Sequence, residues 1–438
     1  MKRVAVVGSG ISGLAAAWLL SKPGAGASVT LYEAGDYFGG HAHTVDVSLR
    51  DASGRPVTQG VDTGFLVLNE RTYPSLLKLF AELGVELAPS DMSFSVQVPG
   101  PSGIGLEWSG SDLSSVFAQR RNLLRPAFWS MLAEVLRFNR LATAIAESGS
   151  DEQLAQPLGE FLDWHRFGTA FRDWYFLPMI GCIWSCPTGQ MLHFPVATLI
   201  RFCHNHGLIQ LRNRPQWYTV RGGARCYVEK MLAGIADARL NCPVRAVRRV
   251  GGAAAILVAT DAASEVYDEV VFACHSDQAL TLLGEDATAV ERELLGAIRY
   301  HRNRALLHTD SRLLPQRRLA WAAWNYERPA SLGREQTAVC LHYWLNRIQP
   351  LPFDQPLLVS LNPAREPRED SVLGEYDYSH PVFDLAAIAA QRRLPEIQGR
   401  RHSWFCGAWT GYGFHEDGLN SAQAIVQALR DQAQAERA

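Results

Sequence analysis

Three glycines, Gly8, Gly10 and Gly13, follow a short apolar run, and a carboxylate, Glu33, stands 20 residues after the last of them. That spacing suits a chain that grips the pyrophosphate and ribose of a dinucleotide. The first glycine permits a tight turn and the second lets backbone approach the phosphates. The third lets helix and strand pack closely, with the helix N-terminus turned to the negative charge. A carboxylate closing the second strand reaches ribose hydroxyls. Two further patterns, His41-x-His43 and His204-x-His206, would each set two rings on one face of a strand, where they could ligate zinc or iron. No carboxylate or third histidine stands at a recognisable metal spacing, so hydrogen-bonded histidines and no metal are expected.

The elements needed to hold the glycines are present. Arg3 to Val7 reads as a parallel strand buried on both faces, Leu14 to Leu20 as a helix, and Val29 to Glu33 as a second strand, which together make one βαβ unit. A helix is expected from Tyr73 to Leu83, strands within 91 to 108, and a largely helical, aromatic-rich stretch from 112 to 175. A helix from Tyr227 to Gly234 follows, then strands at Val244 to Val250, Ala254 to Ala259 and Glu269 to Ala273. Residues 304 to 309 and 338 to 345 are strand-like. The chain closes with a strand from Ser403, a glycine-rich loop to Gly418 and a helix from Leu419 to Leu429. Dinucleotide-type elements thus stand at the start, middle and end. We expect a nucleotide-binding domain built from residues 1–72, 213–298 and 396–438, interleaved with a substrate domain from 73–212 and 299–395.

Composition narrows the function classes. The 438 residues carry a formal charge of −2, which argues against a dedicated nucleic-acid binder. Only four of the 42 basic residues are lysine, so a mechanism that needs a lysine has few candidates. Eight cysteines without a C-x-x-C pair read as reduced thiols of a cytoplasmic protein. The apolar N-terminal run is broken by its glycines, unlike a signal peptide. The uncharged stretch Leu177 to Ile200 contains three prolines, so a spanning helix is not expected.

Gly39-Gly40, Val61-Asp62-Thr63-Gly64-Phe65, and Phe405-Cys406-Gly407 with Asp417-Gly418-Leu419-Asn420-Ser421-Ala422 resemble the flavin-containing amine oxidase superfamily. The resemblance implies an α/β fold: a two-βαβ, Rossmann-like FAD-binding domain interleaved with an α+β substrate domain bearing a helical cap. It implies that Gly8, Ser9, Gly10, Ser12 and Gly13 hold the pyrophosphate and Glu33 the adenosine ribose. Gly39, Gly40 and His41 would line the path to the flavin, and Val244 would meet the adenine. Gly407 and Gly418, Leu419 and Ser421 would approach the ribityl chain and ring, at a helix N-terminus. No cysteine stands in a flavin-attachment motif, so FAD is expected to be non-covalent.

Three departures bear on the reaction. Ala408 stands where an acid is usual, no lysine occurs in residues 304 to 310, and His41 replaces a common arginine. The whole chain more closely resembles a bacterial branch described as NAD/FAD-binding proteins and associated with enzymes that modify fatty acyl chains. It shares Gly39-Gly40-His41-Ala42-His43-Thr44, Arg214-Pro215-Gln216-Trp217 and Trp409 to Gly418. The implied reaction is hydride abstraction from a hydrophobic substrate, a methylated or unsaturated fatty acyl chain, to form a double bond. Oxidation of an amine or amino acid, flavin-dependent isomerisation of a fatty-acid double bond, and a non-catalytic flavoprotein are the alternatives. His415 would serve as general base or bond the flavin, and Tyr412 and Phe414 would wall the substrate or pack in the core. The run Trp174 to Phe194 reads either as a tunnel lining or as core.

Residues 115 to 142 carry five arginines against one acid, interleaved with aromatic and aliphatic side chains. Two readings stand: a solvated arginine face, or a helix pair lying on an anionic inner-membrane surface, which would bring the enzyme to phospholipid acyl chains.

Overall fold

The run Val4 to Val7 is buried on both faces because it is the central strand of a five-stranded parallel sheet, in a computed structural model that describes residues 1–100, 105–148, 156–210, 214–251, 255–329 and 338–435. The strands stand in the order Asp237–Arg239, Ala27–Tyr32, Lys2–Val7, Glu269–Phe272 and Ser403–Phe405. Side chains alternate along the central strand. Val4 and Val6 enter one core with helix Ile11–Ser21, while Ala5 and Val7 enter a second core under an antiparallel layer, Val244–Val250, Ala255–Thr260 and Ser264–Tyr267. Ala15, Ala16 and Ala17 are fully buried because helix Ile11–Ser21 is covered by the sheet and by the last helix, His415–Ala435. Part of the expected turn at 251–254, of the loop at 99–101 and of the helical stretch at 149–155 lies outside the described residues.

A second, seven-stranded sheet is mixed. Its order is Val372–Val382, Arg299–His308, Leu358–Leu361, Leu341–Trp344, Trp324–Glu327, Phe94–Val98 and Leu106–Ser109, with only Trp324–Glu327 and Phe94–Val98 parallel. Segments 230 residues apart in sequence, such as Phe94 and Trp324, therefore share one sheet. The molecule is α/β, with a parallel nucleotide-type sheet and a separate substrate-type sheet.

Two expectations are corrected, at residues 115–142 and at the start of the last helix. The cationic stretch near 115–142 is not a helix pair: a short helix, Leu113–Val116, and a 3₁₀ turn, Arg120–Leu124, lead into one 23-residue helix, Pro126–Ser148. Pro126 starts that helix because its missing N–H costs nothing in the first turn. The uncharged run from Leu177 breaks into helices Leu177–Trp184, Thr188–Met191 and Val196–Asn205, and no described helix is long and apolar enough to cross a membrane. The last helix begins at His415, four residues before Leu419. Asp417 accepts the Phe414 N–H at 2.9 Å and ties down that first turn.

A candidate dinucleotide and substrate cavity

The two sheets meet around one cavity of about 860 Å³. At one end it is walled by Gly8, Ser9, Gly10, Ser12, Glu33 and Val244; at the other by aromatic and aliphatic side chains of both domains. Helix Ile11–Ser21 opens onto the first end. Its N-cap is Gly10, no side chain caps it, and its first turn holds no acid, so its amides face the cavity with their partial positive charge uncompensated. A Cβ built on Gly10 meets nothing within 4 Å and would simply occupy the cavity. On Gly13 it would lie 1.8 Å from the Gly8 carbonyl oxygen, so that glycine is required by helix–strand packing.

Glu33 borders the cavity while holding the loop. One oxygen accepts the Ser9 N–H at 3.0 Å and the Ser9 hydroxyl at 2.5 Å, and the other accepts the Gly35 N–H at 2.7 Å. Gly39 donates its N–H to Ser9 O. Gly40, His41 and Gly407 continue the wall.

Gly13, Gly39, Gly418, Leu419 and Ser421 stand behind the wall. Because the last helix starts at His415, the Gly418 N–H is already bonded to Phe414 O, and Leu419 is buried in the core. A Cβ on Gly418 would come within 2.8 Å of Ser12 Oγ and 2.9 Å of Ile11 Cγ2, so Gly418 is where the first and last helices cross. Ser421 Oγ accepts the Gly407 N–H at 3.0 Å. These residues shape the wall; the helix end that borders the cavity is His415, with Phe414 before it.

The expected substrate residues Tyr412 and Phe414 both line the far chamber. Phe414 stacks on Phe202 at 5.0 Å between ring centres, and Trp184 donates its indole N–H to Tyr412 O at 3.1 Å. The run singled out at 174–194 serves as both core and wall: Phe176 and Met191 are fully buried, while Met179, Cys182, Ile183 and Trp184 border the cavity.

His415 stacks on Phe65, and its Nε2 lies 3.0 Å from the Tyr227 hydroxyl. Burial, then the neighbouring His41, lowers its pKa to about 3. Such a ring is neutral and weakly basic, which disfavours the general-base role expected for it.

His275, Tyr378 and His380 also line the cavity, and sequence reasoning missed them. His380 stands opposite His301 across the pairing of Val372–Val382 with Arg299–His308, and its Nδ1 accepts an N–H of Asn303 at 2.9 Å. Only that long-range pairing brings it to the site. Burial lowers His41 and His275 to about 4, and lowers His380 well below its ordinary value with help from His41 and His275. His206, which also borders the cavity, is lowered by burial to about 4, so among the described residues the cavity carries five neutral imidazoles. His41 Nε2 is buried and lacks a partner.

The histidine pairs do not form strand-borne sites. His41 and His43 precede the strand Thr44–Arg50, and His43 bonds Tyr378 through Nδ1 at 2.9 Å. His204 lies in a helix that His206 terminates, and His206 bonds Phe202 O. Among the described residues the group with metal-ligand spacing is instead Glu327, Cys340 and His342 in the second sheet, none of which borders the cavity. Its atoms already bond one another and the sheet: His342 Nε2 meets Glu327 Oε2 at 3.1 Å, His342 Nδ1 and His308 Nε2 share Ser360 Oγ, and Cys340 Sγ accepts the Ala364 N–H.

Comparison with known proteins adds to this geometry. The model of the family described as flavin containing amine oxidoreductase matches residues 11–301, more than half of the chain. No curated protein matches. Among solved structures, the chain is similar to a CLA-producing fatty acid isomerase from P. acnes (TM-score 0.67, 16% identity, 98% of each chain covered). It is likewise similar to cyclohexylamine oxidase from Brevibacterium oxydans IH-35A (0.66, 16%, 99% of each) and to putrescine oxidase bound to putrescine (0.65, 16%, 98% of each). At these identities the likeness is one of fold.

Proposed function

The chain belongs to the flavin-containing amine oxidoreductase family, and from that premise we propose that it is an FAD-dependent oxidoreductase that removes hydrogen from a fatty acyl chain to leave a carbon–carbon double bond. Family membership implies a flavin, and the residues present fit one. The helix end at Ile11 is uncapped, Gly10 leaves its Cβ space open, and His41 Nε2 is buried without a partner. Gly8 to Ser12 and Glu33 would hold the pyrophosphate and ribose, Val244 the adenine, and Gly40, His41 and Gly407 the path to the ring. FAD is held non-covalently in this reading; acid treatment should release it, and retention on the denatured chain would refute that.

When bound, the flavin supplies the two-electron oxidation by taking a hydride. The chain's own part is to orient and to exclude water. Met179, Ile183, Trp184, Phe202, Tyr412 and Phe414 offer an apolar wall that would seat a hydrocarbon and keep water from the reacting carbon. His415, held neutral between Phe65 and Tyr227, keeps a rigid polar ring at the boundary of the chamber. His41 Nε2, buried without a hydrogen-bond partner among the described residues, is open to a hydrogen bond from the bound group, and with a pKa of about 4 it is, like His415, a weak base.

The observation that carries the reading is the character of the wall. Its carboxylates are Glu33, bonded to Ser9, Asp377, paired with Arg302, and Asp277, in the first turn of helix Ser276–Leu283. None of these is free within the aromatic chamber to clamp an ammonium group, which counts against an amine. Isomerisation of a fatty-acid double bond would use the same chamber, and the fold shared with a fatty acid isomerase keeps it as the second reading.

The test is an anaerobic visible spectrum before and after addition of phospholipid bearing methyl-branched, unsaturated acyl chains. Lasting bleaching of the flavin band supports dehydrogenation. A shifted double bond without lasting bleaching supports isomerisation. Bleaching by amines and not by lipid overturns both.

A further inference from the structure

We infer that the outer face of the helical cap is a docking surface for an anionic lipid bilayer. The inference goes beyond the reaction and stands on surface residues alone. Of the large apolar side chains left exposed among the described residues, Leu113, Leu123, Leu124, Trp129 and Leu136 fall within residues 113–136, with Leu113 80% and Leu124 86% exposed. Scattered exposed aliphatics need no explanation, whereas a concentration within one stretch of chain does.

These residues converge. On helix Pro126–Ser148, Trp129, Ala133, Leu136 and Arg140 follow one another at helical spacing along the outer stripe, a span of about 16 Å. The opposite stripe, Phe128, Met131, Phe138 and Ala142, is fully buried. The Trp129 indole donates to Leu123 O at 2.9 Å, which fixes the 3₁₀ turn and its two leucines beside the helix. Arg137 donates to His165 O and Arg166 O and lies over the Phe167 ring at the edge of the same face.

Charge selects the occupant. Residues 113–148 hold Arg120, Arg121, Arg125, Arg137 and Arg140 against Glu134 and Glu147, a local +3 on a chain of net −2. Glu134 is directed inward, accepting the Gly168 N–H at 2.7 Å. A second copy of this chain would present the same cations across a twofold axis and be repelled. A bilayer with anionic headgroups accepts guanidinium groups and lets tryptophan and leucine enter its boundary layer. Without a membrane-crossing helix among the described residues, the contact is interfacial.

The experiment is co-sedimentation of the flavin-loaded full chain with vesicles of phosphatidylcholine alone or with phosphatidylglycerol added. The expected result is binding to the mixed vesicles at least tenfold tighter than to phosphatidylcholine, weakened by salt. Binding should fall at least tenfold in R120E/R140E and in L124S/L136S. Both variants should keep the flavin band and melting temperature, which marks their folding as intact. Equal binding to both vesicles, no binding, or binding that the variants leave unchanged overturns the proposal. So does a wild-type dimer that L124S/L136S converts to monomer without any vesicle binding. None of these readouts depends on whether lipid bleaches the flavin, so the surface and the reaction can fail separately.

Discussion

The imidazole of His415 lies flat on the ring of Phe65, the ring centres 3.7 Å apart and the planes 18° from parallel, and its Nε2 meets the Tyr227 hydroxyl at 3.0 Å. Burial, then the neighbouring His41, holds the ring neutral, with a pKa of about 3. A working general base contributes about 10²–10⁴ in rate. We therefore expect His415→Ala to slow flavin reduction by about tenfold, with FAD retained and the pH profile unmoved. A loss above about 10³ with a displaced acid limb would restore the base role.

Gly10 and Gly13 separate binding from folding. Gly10→Val puts its side chain into open cavity, so the protein should melt as the flavin-free wild type does and fail to take up FAD. Gly13→Ala drives a methyl against the Gly8 carbonyl oxygen and should cost about 1–3 kcal/mol of stability. Flavin content and thermal melts, read together, check the pair. Normal FAD uptake by Gly10→Val would remove the phosphate cradle.

His41 sets a pH dependence of defined sign. Its folded-state pKa, about 4, lies below the ordinary 6.5 because the site is buried. Above pH 6.5 both folded and unfolded forms are neutral and the native state is at full advantage. As pH falls toward 4 the unfolded chain takes a proton that the folded chain refuses, and stability is lost. Between pH 7.5 and 5, wild type should lose about 2 kcal/mol relative to His41→Gln. Asp62 and Asp417, raised by burial to about 7 and about 6, run the other way but are common to both proteins and cancel. Parallel urea curves at the two pH values would show that His41 titrates normally.

Ile183 borders the aromatic chamber. Ile183→Trp should shorten the chamber while leaving the glycine loop untouched. The flavin band should persist, reduction by long acyl chains should fall at least tenfold, and short-chain analogues should still react. Equal loss for long and short chains would place the hydrocarbon elsewhere.

The nucleotide end of the cavity was legible because its determinants are local. Gly8, Gly10, Gly13 and Glu33 act within one βαβ unit, where turn, helix end and second strand follow each other in sequence. The last helix was misjudged because Gly418 reads as loop; it is tolerated inside a helix only for the close crossing with Ile11 and Ser12, a tertiary reason. His380 and Tyr378 were invisible for the same kind of reason. They reach the cavity through a strand paired with residues about 80 positions earlier, and nothing near them in sequence marks that register. Tyr412 and Phe414 fell between these cases, placed by resemblance and then found on the wall.

The strand Ser403–Phe405 and the helix behind it complete a sheet whose central strand is Lys2–Val7. Helix Ile11–Ser21 is made about 400 residues before Gly418, where the last helix crosses and covers it. The apolar back of the first helix therefore stays bare until the chain has been made past Gly418. A truncation that removes the last helix should leave that surface open to chaperones and the flavin without a home.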